Sequence, residues 1–148
     1  MRALIQRVTS ASVKVDGKIV GKIGKGFLIF LGIYEEDTEE KIEKLTKKIV
    51  NLRIFNDEND KMNLSIKDVK GEILLKDEIK ANNFDVDEVL TDENIAVALN
   101  KPNDANVIYE KTIESIRNEG IIVEKGIFGA DMKVELLNDG PVTILLDV

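Results

Sequence analysis

Three stretches of this 148-residue chain have residue types and spacing that could do chemistry. The first is Asn138-Asp139-Gly140-Pro141, which holds one of the two prolines. Glycine supplies any positive φ, while proline fixes its own φ and removes a backbone donor. Met132–Leu137 and Val142–Leu146 on either side read as strands, so the plain expectation is a hairpin turn. The sharper one is a rigid Gly-Pro element whose backbone carbonyls face a ligand. The second stretch is the carboxylate pair Asp77-Glu78. In a shared pocket, proximity would raise one pKa and create a general base; solvated acidic residues on a loop are the plainer reading, and the pair is taken as non-catalytic. The third is Asn56-Asp57-Glu58-Asn59-Asp60. It lacks the glycine and the terminal glutamate of a calcium loop and reads as a polar turn.

Composition narrows the chemistry. There is no Cys, so there is neither a disulfide framework nor a thiolate nucleophile. There is no His, which removes His-based triads and the commonest transition-metal ligand. A net charge of −7 argues against a large nucleic-acid footprint but leaves room for a local basic patch. No apolar run reaches the ~20 residues of a membrane span, and MRALIQRV has no signal-peptide core. A cytoplasmic protein of one domain, residues 1–148, is expected.

The elements that must position these residues follow in order. Residues 2–8 form an apolar run and Ala11–Val15 alternates. Asp16-Gly17 is a hairpin signal, Lys18–Ile23 alternates again, and Phe27–Ile33 reads as a strand buried on both faces. Together they suggest a β-meander. Asp37 or Thr38 caps a helix with the apolar stripe Ile42, Leu45, Ile49 and Leu52. Short strands are expected at 52–55 and 72–75. Residues 76–101 carry seven acidic and three basic residues, a segment charge of −4, and read as a loop with one or two short helices. Pro102-Asn103-Asp104 opens a helix with Ala105, Ile108, Tyr109, Ile113 and Ile116 on its apolar face and Gly120 after its end. Strands at 121–123, 133–136 and 143–146 complete the chain, the last two separated by Asn138–Pro141.

MRALIQRV, VDGKIVGKIGKGFLIFLG, NLRIFNDENDKMNLSI and GIFGADMKVELLNDGPVTILLD, in this order, resemble the D-aminoacyl-tRNA deacylase family over residues 1–75 and 102–148. The resemblance implies an α/β (α+β) fold: a β-barrel-like antiparallel/mixed sheet covered by two helices, in a homodimer. It implies hydrolysis of the ester joining a D-amino acid, or glycine, to the 3′ end of a tRNA, as chirality proofreading without cofactor or metal. Gly140-Pro141 matches the family's Gly-Pro pair. There the peptide is cis and enters the partner's site, where its carbonyls meet the α-amino group and leave no room for an L side chain. Arg7 matches an arginine that holds this motif. Phe128 and Met132, in the matching C-terminal segment, read either as walls of the pocket or simply as core and turn residues.

The family's second element, a Ser-Gln-Phe-Thr run at a strand end that places the ester and stabilises the oxyanion, is absent. Its four positions carry Asp77, Glu78, Ile79 and Lys80. The basic Arg-Pro-Ser-Phe run that should follow is replaced by Asn82, Asn83, Asp85, Asp87 and Glu88. Carboxylates stand where a developing oxyanion needs donors, and −4 of local charge repels RNA phosphates. The alternative implied is an impaired or inactive member: a natural pseudoenzyme, a substituted segment, or a reading-frame error across 76–101.

Overall fold

A computed structural model describes residues 1–34, 36–77 and 102–148, with the backbone alone described at 102–104. A six-stranded mixed sheet organises the chain. Its strands are β1 (Arg2–Val15), β2 (Lys18–Ile23), β3 (Gly26–Gly32), β6 (Glu72–Asp77), β7 (Val123–Lys125) and β8 (Lys133–Asp147). A separate ribbon pairs β4 (Phe55–Asn56) with β5 (Met62–Leu64). Two helices are described, α1 (Glu39–Asn51) and α2 (Pro102–Arg117).

The expected meander does not form. The order is β2-β1-β3-β6-β7, with β8 on β1 as well. The reason is the length of β1. The runs 2–8 and 11–15 are one 14-residue strand, whose first half pairs with β3 and whose second half pairs with β2. A bulge makes this single strand possible. On the β8 side, Val8 faces Asn138 and Ser10 faces Leu137, so Thr9 is an extra residue. Without it, side-chain alternation would turn Ala11 and Val13 outward. With it, Leu4, Val8, Ala11 and Val13 share one core with Ile23, Leu28, Phe30 and Leu74. Ala3 and Ile5 point to the other face, where α1 and α2 cover Phe27, Ile29, Ile73 and Leu75.

The sheet curls until it nearly closes. A Cβ on Gly21 of β2 would lie 2.8 Å from the Lys125 carbonyl oxygen of β7, so only glycine permits that approach. The inner core of Leu4, Val8, Leu28 and Phe30 is therefore the filling of a barrel-like sheet, with Met132, Val134 and Leu136 packed on it.

Most of the expected helical stripes are buried: Ile42, Leu45 and Ile49 on α1, and Ala105, Tyr109, Ile113 and Ile116 on α2; Leu52, just past the end of α1, and Ile108 are half-buried. Capping differs from expectation. Thr38 stands at the N-cap of α1 without a side-chain bond. The Asp37 carboxylate instead accepts from the Met1 ammonium at 2.7 Å and from the Tyr34 N–H at 2.7 Å. The strand expected at 52–55 begins only at Phe55, because Leu52 closes α1 by donating its N–H to Ile49. The strand expected at 121–123 is shifted to 123–125, where it runs parallel to β6.

Two further expectations are corrected. Asn138–Pro141 is not a hairpin turn: β8 runs unbroken from Lys133 to Asp147 along β1. Lys76 and Asp77 are not loop residues but the end of β6, and both are buried. The helices expected within 76–101, and Glu78, Ile79 and Lys80, lie outside the described residues.

Candidate active-site elements

Gly140-Pro141 sits in a wide bulge of β8. Gln6 pairs with Thr143 and Val8 with Asn138, so Asp139, Gly140, Pro141 and Val142 together oppose Arg7. The Gly140–Pro141 peptide is cis, and Gly140 has φ +127°. A Cβ there would lie 3.0 Å from Arg7 Nη2, from Val142 N and from Val142 Cγ2. Glycine is therefore required both by the dihedral and by the space. The peptide itself has a carbonyl and no N–H, so it can only accept from a polar ligand. It suits a donor such as an ammonium group.

Arg7 is the strut of this bulge. It is 5% exposed. Its Nε donates to the Asp139 carbonyl at 2.9 Å, and its Nη1 donates to the Ile54 carbonyl and, at 3.5 Å, to Asn56 Oδ1. Asp139 Oδ2 adds a 3.4 Å ion pair with Nε. The planar guanidinium thus ties the residue before Gly140 to the segment entering β4. A lysine, with one ammonium, could not span those acceptors.

The end of β6 forms a second cluster. Asp77 is 2% exposed, and its Oδ2 accepts from the Gly129 N–H at 3.1 Å. Tyr109 of α2 donates its hydroxyl to the Leu75 carbonyl at 2.7 Å, and the Gly126 N–H reaches the same oxygen at 3.3 Å. The Phe128 ring lies against the Tyr109 ring, centroids 5.6 Å apart. Burial pushes the Tyr109 phenol well above its usual range, and the Asp77 charge adds to the effect. Lys76 points to the opposite face of β6, as alternation demands. Its Nζ lies 5.6 Å from the Phe30 ring centroid and donates to the Asp77 carbonyl at 3.2 Å.

The predicted residues are thus distributed between two places. Arg7 and Gly140-Pro141 come together, and Phe128 joins Asp77 through its neighbour Gly129. Met132 does not join Phe128: it packs on the inner core, whereas Phe128 packs on the helix-covered one. The two clusters are also apart. Arg7 shares a row with Phe27 and Ile73, whereas Asp77 shares a row with Leu31 and Ala3. From the bulge on β8 to the end of β6, four residues along the strands and three strand steps across (β8-β1-β3-β6), at ~3.3 Å and ~4.8 Å per step, separate the two clusters by roughly 20 Å along the sheet of one chain.

Three further residues contribute to these clusters: Asn56, Asp139 and Tyr109. By local pattern Asn56 is a turn residue, Asp139 part of a hairpin and Tyr109 plain core. A buried tyrosine hydroxyl needs a partner, which was the one available signal. For Asn56 and Asp139 there was none, because only the tertiary fold brings Arg7 to them. Among the described residues no group of three or more Asp, Glu, His or Cys is gathered to hold a metal ion. Among the described residues no helix is long and apolar enough to cross a membrane.

Comparison with known proteins agrees with this architecture. D-aminoacyl-tRNA deacylases of Clostridium botulinum (strain 657 / Type Ba4) and Clostridium beijerinckii are 47% and 46% identical, each alignment covering 99% of this chain and 97% of the relative. Among solved structures, the c-Myc DNA Unwinding Element Binding Protein superposes with a TM-score of 0.81 at 35% identity, covering 100% of this chain and 99% of its own. A probable eukaryotic D-amino acid tRNA deacylase shares the fold, with a TM-score of 0.66 at 16% identity over 99% of this chain and 98% of its own. Residues 4–147 match the D-Tyr-tRNA(Tyr) deacylase family, and with the sheet order and close relatives above the chain belongs to that family.

Proposed function

We propose that the chain hydrolyses the ester of D-aminoacyl-tRNA, and of mischarged glycyl-tRNA, releasing free tRNA and the amino acid in the cytoplasm. Family membership supports the reaction class. The observation that carries the finer reading is the Arg7-braced Gly140-Pro141 bulge, whose central peptide offers only a carbonyl. In this reading that carbonyl accepts from the substrate's α-amino group, and the rigid bulge excludes an L side chain. The roughly 20 Å between the bulge and the β6 end of one chain argues for a homodimer in which each Gly140-Pro141 serves the partner's site. Among the described residues the outer edge of β8, 15 residues long, has no strand partner, and it is a surface that a second copy would cover. Phe128 and Tyr109 wall the β6 end in this arrangement; Met132 supports the wall from the inner core.

A second reading is favoured by Asp77. Its buried carboxylate occupies the first position of the expected Ser-Gln-Phe-Thr run and is engaged by Gly129. The β6 end therefore offers an acceptor where an oxyanion needs a donor, and the chain is then an impaired member, whether by natural divergence, a substituted segment or a frame error.

Single-turnover hydrolysis of D-aminoacyl-tRNA and its L counterpart tests both. Cleavage of the D ester alone supports the deacylase and refutes the impaired form. No cleavage of either by a folded dimer refutes the first reading, and replacing residues 77–80 by Ser-Gln-Phe-Thr should then restore activity. Sequencing the coding DNA across 76–101 separates a frame error from the other two origins.

A further inference from the structure

We propose that the outward face of the β2-β1-β8 end of the sheet carries the phosphate backbone of the tRNA. This rests on the deacylase reading and adds the surface that holds its substrate. A chain of net charge −7 needs a local positive surface to retain a polyanion.

The strand ladder supplies such a surface. Ala11 and Val13 point into the inner core, so Ser10, Ser12 and Lys14 point outward. Lys22 lies beside Ser12, and Lys133 lies beside Lys14. Ser10, Ser12, Lys14, Ile19, Lys22 and Leu137 line a groove of about 380 Å³. Among the described residues the one carboxylate lining the groove is Glu135, 3.9 Å from Lys14; on the rim, Asp131 is 3.8 Å from Lys133. Both pairs are long, and their acidic members are 76% and 82% exposed, so water and phosphate compete with them readily. Lys22 has no ion-pair partner among the described residues.

The chemistry fits a ribose-phosphate strand. Two hydroxyls and the lysines donate to phosphate oxygens, and the exposed Ile19 and Leu137 offer apolar surface to sugars and bases. The groove also leads to the right place. Leu137 is four residues from Pro141 on β8, about 13 Å at the strand rise. A strand lying here would run to the Gly140-Pro141 bulge, and so to the partner's site.

The test is equilibrium binding of uncharged tRNA, by anisotropy, across a potassium chloride series. Lys22→Glu and the Lys14→Gln/Lys22→Gln pair should weaken binding roughly three- to tenfold at low salt, and each lost phosphate contact should reduce the log–log salt slope by about 1. Lys44→Gln on α1, an exposed lysine outside the groove lining, is the control. Wild-type affinity and slope in the groove variants would overturn the proposal. So would equal weakening by Lys44→Gln, which means diffuse attraction, or a change in sedimentation mass, which makes a second copy the occupant. Binding of tRNA on this face by a chain that cleaves no D-aminoacyl-tRNA would overturn the deacylase reading alone.

Discussion

Replacing Arg7 by alanine should remove the brace of the Gly140-Pro141 bulge at a calculable cost. The side chain is 5% exposed and donates to the Asp139 carbonyl, the Ile54 carbonyl and Asn56 Oδ1. Hydrogen bonds from a charged donor contribute ~1.5–3 kcal/mol each, but the three acceptors are only partly buried, with Asn56 exposed, so water recovers part of that when the donor is removed. Asp139 is 46% exposed and can be rehydrated, which places the expected loss at about 3 kcal/mol. With a urea m-value of ~2 kcal/mol/M, the unfolding midpoint should fall by about 1.5 M. Arg7→Lys keeps the charge but not the fork and should lose roughly half as much. Asp139→Asn removes only the half-exposed ion pair and leaves the main-chain acceptor, so it should cost less than ~1 kcal/mol. The measurement is urea unfolding followed by circular dichroism at several protein concentrations, since dimerisation adds a mass-action term. A loss below ~1 kcal/mol for Arg7→Ala, or one equal to that of Asp139→Asn, would refute the strut.

Other expectations follow from the same contacts. Gly140→Ala places a Cβ 3.0 Å from the Val142 nitrogen at φ +127°; it should cost ~1–3 kcal/mol in urea unfolding and lower single-turnover hydrolysis of D-aminoacyl-tRNA. Asp77→Ala leaves the Gly129 N–H without its acceptor and should destabilise by ~1–3 kcal/mol, whereas Asp77→Asn keeps an acceptor oxygen and should cost less in thermal melts. The Arg2 hydrogen bond holds the Asp147 carboxyl below its usual value. Its folded pKa being the lower one, the stabilisation is present above the unfolded value near 3.8 and is lost as pH falls through the folded one. The side chain is 52% exposed, so the contribution is ~0.5 kcal/mol after screening, and Arg2→Ala should flatten the acid limb of the stability curve by that amount.

Local pattern in the sequence determined a good deal of this protein. The apolar stripes of α1 and α2, the Asp16-Gly17 turn and the buried run of β3 are properties of residues close together in the chain, where periodicity and turn chemistry act without help. The four matching segments were enough to expect the family and its Gly-Pro pair, because that resemblance lies in contiguous residues. The tertiary structure decided the rest. Asn138-Asp139-Gly140-Pro141 has the composition of a turn, yet it lies inside a strand because β1 runs past it on both sides and Arg7 fills the bulge. The Thr9 bulge is invisible in composition, since its purpose is to keep Val8 and Ala11 in one core. Asp77 has the character of a solvated loop acid, but parallel pairing of β6 with β3 draws it into the sheet, where the Gly129 N–H meets it. Each of these outcomes depends on partners many residues away. A chain read residue by residue contains their chemistry; only the closed sheet determines which of them meet.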